Sequence, residues 1–239
     1  MTDNDAANAS AKGATASDFE TLKSNLNAVL TREIEDCRSV TGLNRLSGGA
    51  SQETYQVTIA TAAGEKRLAL RRAPGGAARD IMGRGPSLEG EAALFRQAAR
   101  AGVPAPTVHY VLRPEDRVGE GFVMEWLDGE TLGARINRSE EFAQIRPKLA
   151  RQCGRILARI HGIDVQASGL DRYLKRLDAR RFVTETWSRY QDFETPVPMI
   201  DYAGRWLMEN LPESNDLCLV HSEFRNGKLM IDPDRALVA

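Results

Sequence analysis

Little in this 239-residue chain points to metal, redox or membrane chemistry. Its three cysteines, Cys37, Cys153 and Cys218, stand far apart, with no C-x-x-C pair to make a zinc or redox site. That isolation predicts a reducing, cytoplasmic setting. No stretch approaches the roughly 18 apolar residues that a membrane helix needs. The opening MTDNDAANASAKGATAS has acids, and no apolar run, where a secretory signal would have bases followed by one. Charge of either sign is not in excess: 32 Lys+Arg against 33 Asp+Glu leave a net −1, so no global attraction to nucleic acid or anionic lipid is expected. Internal repeats are absent. Partners must therefore be read locally, from short stretches.

What is present falls into two halves. Residues 1–17 are rich in Ala, Ser and Asn with no period, and are expected to form a disordered leader. Phe19, Leu22, Leu26, Val29 and Leu30 then recur at helical spacing. RLSGGASQETYQVTIATAAGEKRLALRRAP reads as two β-rich runs around a turn at Ala63-Gly64, entered through a Gly-Gly loop. Leu88, Ala92, Phe95 and Ala99 predict a helix capped by Ser87 and stopped by Gly102 and Pro104. PTVHYVL and GEGFVMEWLDG read as further strands. Beyond them Ile145, Leu149, Cys153, Ile156 and Ile160 mark a long amphipathic helix, and 170–211 is mostly helical. The expectation is an α+β fold of two lobes, with 18–126 β-rich, 127–239 mostly helical and a hinge near residue 126.

Several residues have the chemistry to bind an anion or move a proton. In SGGASQET, Gly48 and Gly49 let backbone amides approach a phosphate, and Ser51 adds a hydroxyl. An ordinary hairpin loop reads the same way. In LALRR, period 2 puts Ala69 and Arg71 on one strand face, a small residue beside a cation, and turns Arg72 to the other. That arrangement admits a purine and meets its phosphates. Glu91 borders the inward stripe of the following helix, where it can orient Arg71 through a two-pronged pair. FVMEWLDGETL is a buried strand leaving through Gly129, with the backbone of Glu125 and Leu127 free to bind an adenine edge. LVHSEFRNGKLMIDPD runs from an apolar pair, Leu219 and Val220, through His221 and Glu223 to a second apolar run, Leu229–Ile231. A zinc-deaminase reading of HSE lacks the P-C-x-x-C that would complete its ligands.

In this order, LSGGASQETY, ALRRAP, EAALFRQAARAGVPAPTV, FVMEWLDGETL, LARIHGID and LVHSEFRNGKLMIDPD resemble the aminoglycoside phosphotransferase and choline-kinase-like family, which shares the protein-kinase architecture. The resemblance implies an ATP-dependent phosphotransferase acting on a hydroxylated small molecule, with magnesium as the family's metal. It implies that Gly48, Gly49 and Ser51 cover the ATP phosphates, that Arg71 stands for the lysine of the third strand with Glu91 as its partner, and that Glu125 and Leu127 hold adenine. His221, Glu223, Arg225 and Lys228 fall in the loop that the family writes H-G-D-x-x-x-x-N, with Glu223 as the base. Ser222 stands for its glycine, Glu223 for its aspartate and Lys228 for its metal-binding asparagine, and no D-W-E follows.

Three readings follow: an active kinase, a catalytically silent nucleotide-binding or regulatory module, and a truncated product with an incomplete helical lobe. The last predicts self-association through uncovered faces of Ile156, Leu157 and Ile160. No partner is expected among nucleic acids or membranes.

Overall fold

The computed structural model describes residues 16–46, 52–76, 85–213, 216–234 and 236–237. A helix, α1 (Ala16–Glu33), lies over one face of a five-stranded antiparallel sheet. The strands are β1 (Ser39–Arg45), β2 (Glu53–Thr61), β3 (Gly64–Arg72), β4 (Val108–Val111) and β5 (Gly121–Glu125), in the order β1-β2-β3-β5-β4. Period 2 decides what each face carries. Tyr55, Val57 and Ile59 of β2 and Leu68 and Leu70 of β3 join Leu22, Leu26, Val29 and Leu30 of α1 in one buried core. Full burial of each such aliphatic side chain contributes about 1.5–3 kcal/mol, which is why this face of the sheet requires a helix over it.

The opposite face receives α2 (Leu88–Arg100), through a second cluster of Ala73, Leu88, Ala92, Val108 and Phe122. Ser87 caps α2 as its sequence predicts, its hydroxyl accepting from the Gly90 amide at 3.2 Å. The stripe is shorter than expected, because Ala99 is exposed. At the far end of the sheet a buried Asp116 carboxylate receives the Arg32 guanidinium at 2.6 Å, the Tyr110 hydroxyl at 3.0 Å and the Arg113 amide at 2.8 Å. Burial pushes this carboxyl upward, but these donors together hold it below its ordinary range.

After β5 the chain becomes helical: α3 (Gly133–Arg138), α4 (Arg146–His161), α5 (Ala179–Gln191) and α6 (Pro198–Glu209) precede a short hairpin of β6 (Ile231–Asp232) and β7 (Ala236–Leu237). Ile136, Phe142 and Ile145 bury Leu229 and Ile231. Two expectations fail here. Of the three residues expected to be open, Ile156 and Ile160 are buried in a cluster with Val103 against which Leu219 and Phe224 pack, while Leu157 is half-buried. The apolar pair Leu219 and Val220 forms no strand and Val220 is exposed, and the second strand is Ile231–Asp232 rather than 229–231. Among the described residues, no helix is long and apolar enough to cross a membrane.

Candidate active site

Strand register and helix phase bring Arg71 and Glu91 together. Arg71 lies opposite Phe122 of β5 and Ala69 opposite Met124, on the face that α2 covers. Glu91 sits in the first turn of α2, one residue before the buried Ala92. Arg71 Nε donates to Glu91 Oε2 at 2.9 Å, and Nη2 stands 2.9 Å from Oε1, a two-pronged pair that fixes the plane of the guanidinium and leaves Nη1 outside it. Arg72 points the other way. Its Nη1 donates to Glu53 at 2.8 Å and its Nε to the Val118 carbonyl at 2.6 Å. Glu53, buried, also takes Tyr55 Oη at 3.1 Å and lies 3.3 Å from Arg45, so Arg72 belongs to a structural ion-pair cluster between β1, β2 and β3. Gly48, Gly49 and Ser51 lie outside the described residues.

The segment after β5 differs in one respect from the sequence expectation. The Glu125 amide is not free, since it donates to the Thr107 carbonyl at 2.8 Å while the Glu125 carboxylate accepts from the Thr107 amide at 3.1 Å. The residue just before β4 thus takes the amide, one of the two Glu125 backbone groups that a ligand was expected to use. Leu127 has no backbone hydrogen-bond partner among the described residues. The turn is held by Asp128, which accepts from Trp126 Nε1 at 3.0 Å and from Arg67 Nη2 at 2.6 Å.

Glu130 is a residue that sequence reasoning missed. Its backbone exchanges two hydrogen bonds with Ile231, at 2.8 and 2.9 Å. Its Oε1 accepts from the amides of Thr131 and Leu132, and Oε2 lies 2.9 Å from Arg135. The signal was an acid followed by Thr and a short helix, the pattern of an anion at a helix start, but its long-range partner has no local signature. This exchange joins the segment that follows β5 to β6, the strand that follows the 221–228 loop.

The loop itself is tightly turned. Ser222 has φ +66°, and the Glu223 amide donates back to the His221 carbonyl at 2.9 Å. The His221 ring meets Phe224 edge-on with centroids 5.3 Å apart. Phe224 packs against two buried clusters, that of Ile136, Phe142, Ile145, Leu229 and Ile231 and that of Val103, Ile156 and Ile160, and so seats the loop between them. Asn226 fits beside Gly133, where its Nδ2 is 2.7 Å from where a Cβ would stand.

Both oxygens of Glu223 face cations: Oε1 accepts from Arg225 Nε at 2.6 Å and Oε2 is 3.5 Å from Lys228 Nζ. The Arg225 hydrogen bond, with the charges of Arg225 and Lys228, outweighs the opposing effect of burial and holds the Glu223 carboxyl below its usual range. A carboxylate so held is a weaker proton acceptor than a free one.

Magnesium does not fit this donor set. Among the described residues no three His, Cys, Asp or Glu side chains gather to hold a metal. The ion prefers carboxylate and water oxygens in a near-ideal octahedron, and here the loop's carboxylate is flanked by an ammonium and a guanidinium. A cavity of about 290 Å³ lies elsewhere, between α2 and the Ser168–Tyr173 turn, and is lined by neither Arg71 nor Glu223.

Residues 42–238 match the model of a family described as "Phosphotransferase enzyme family". Acyl-CoA dehydrogenase family member 10 of Mus musculus is 29% identical over 197 residues, which cover 80% of this chain and 17% of that protein. The chain spans 17 to 28% of the length of its curated relatives of this group. A Ralstonia eutropha protein described as an aminoglycoside phosphotransferase shares the fold with a TM-score of 0.70 at 22% identity, covering 90% of this chain and 62% of that one. The GDP complex of an aminoglycoside 2'-phosphotransferase-IIIa variant gives 0.60 at 13% identity, covering 91% and 70%. The family model extends from β1 to the final hairpin, across both lobes and every site residue named above, and the chain belongs to the phosphotransferase enzyme family.

Proposed function

We propose that this chain binds ATP between its lobes and transfers the terminal phosphoryl group to a hydroxyl of a small molecule. The observation that carries this reading is the two-pronged Arg71–Glu91 pair, which presents a fixed cation beside a buried small residue, Ala69. A guanidinium oriented in advance meets a phosphate without a further loss of side-chain freedom. The Leu127 backbone would take the base edge. In the transfer, the acceptor oxygen bonds to the γ-phosphorus as the bond to the β–γ bridging oxygen breaks, and Glu223 takes the acceptor's proton. A related fold binds GDP, which supports a nucleotide as the ligand and makes GTP the natural competitor to test.

A second reading, a nucleotide-binding module without turnover, is favoured by the two cations that hold Glu223. Calorimetric titration of ATP, GTP and adenosine tests the binding. Arg71→Ala is expected to weaken ATP by about tenfold and adenosine little, the loss of one charge-assisted phosphate contact. Equal losses for the two ligands would remove Arg71 from the phosphate site. Acceptor-dependent ADP release over a panel of small alcohols separates the enzyme from the silent module.

A further inference from the structure

We infer that Arg225 and Lys228 take the place of a divalent cation in this loop, so that the site accepts free ATP in preference to its magnesium complex. The inference rests on the nucleotide reading above and deepens it.

The argument begins with the charges that the loop fixes. Glu223, Arg225 and Lys228 together carry a net +1, with the carboxylate between the two cations. To reach Glu223 a metal would have to displace Arg225 Nε, bonded at 2.6 Å, and stand beside an ammonium that is 3.5 Å from the other oxygen. Both interactions oppose a divalent ion, and the repulsion is twice that between unit charges at the same distance.

The same geometry favours a polyphosphate. Arg225 commits only Nε to Glu223, while Nη1 extends over Gly227, 2.8 Å from where a Cβ would stand there. Lys228 at 3.5 Å directs one N–H toward Glu223 and keeps two N–H donors for an anion. Both side chains are about half exposed, 61% and 47%, and are reachable from solvent. The backbone beneath them is fixed by the Ser222 turn, by the Lys228 amide on the Arg225 carbonyl at 2.8 Å, and by Phe224 in its double contact. Besides serving as the base of the transfer, Glu223 holds two cations in one place, as a metal does for phosphates elsewhere.

The test is calorimetric titration of the whole chain with ATP, once with a chelator and once with millimolar magnesium, on the parent and on Lys228→Asn. The parent is expected to bind within about threefold under the two conditions, or more tightly without metal. Lys228→Asn is expected to lose about tenfold in metal-free affinity, the loss of one charge-assisted contact, and to gain affinity on adding magnesium. Arg225→Gln gives an independent second variant, with loss of metal-free affinity expected and adenosine binding unchanged in both. A parent that binds more than about tenfold tighter with magnesium, or variants that leave metal-free affinity unchanged, overturns this inference and leaves the proposed function standing. Absence of ATP binding under both conditions overturns the proposed function, and the inference with it.

Discussion

At the scale of single residues, Ser222 is one of four non-glycine residues with positive φ among the described residues. The resemblance places glycine there, and the loop imposes φ +66° on a side chain that avoids the left-handed region. Ser222→Gly is therefore expected to raise unfolding stability by up to about 1 kcal/mol, reduced somewhat by the greater freedom of glycine in the unfolded chain. Urea midpoints at constant slope provide the measurement, and a lower midpoint would show that the serine side chain holds the turn. Residue-level legibility followed the range of the interaction. The Arg71–Glu91 pair was readable because strand period and helix phase each fix one partner's direction. The Glu125 amide was misjudged because its partner, Thr107, lies in the extended segment just before β4, and Glu130 was missed because Ile231 lies far along the chain. Gly48, Gly49 and Ser51 fall outside the described residues, so the phosphate cradle stands on the glycine motif alone.

At the scale of elements, α5 and α6 form a pair whose closeness depends on one missing side chain. Trp187 of α5 lies against Gly204 of α6, where an added Cβ would overlap the indole ring. Gly204→Ala gains helix propensity, roughly 1 kcal/mol, yet overpacks the contact, at a cost of typically 1–3 kcal/mol. The net expectation is a less stable helical pair, visible as faster amide exchange in α5 and α6 with α2 and the sheet unchanged. Uniform change across both lobes would mean that the pair does not open by itself. Helices α1, α2 and α4 were legible because their apolar stripes follow the helical period over several turns. Strand β1 was not, since only Val40 and Leu43 of its seven residues are buried and its role comes from pairing with β2. Leu219 and Val220 misled for the converse reason: two apolar residues are too short a run to carry a period, and Phe224 and the α4 face decide where Leu219 packs.

At the scale of the whole molecule, apolar exposure concentrates on α5, α6 and their connection. Phe182, Phe193, Met199, Ile200, Tyr202 and Trp206 are all exposed, Met199 and Phe193 by 74%. A patch of this kind favours association. Sedimentation velocity should show concentration-dependent self-association that Met199→Glu with Trp206→Glu abolishes without lowering the melting transition. A parent that remains monomeric at high concentration would show that the patch is tolerated in water.

The hydrogen-bond exchange between Glu130 and Ile231 has a topological consequence. It brings two points far apart in sequence side by side, so residues 131–230 form a detour that leaves the hinge and returns to it. Such a detour can be lengthened or rebuilt at its outer turns while its two ends stay stitched together. Change in that region can alter what the molecule recognises and leave the sheet, with Arg71 and the Leu127 backbone, undisturbed. The stitch thus divides the chain into a frame and a detour, with the boundary at one residue on each side, Glu130 and Ile231, and the 221–228 loop lies at the detour's returning end, next to the frame.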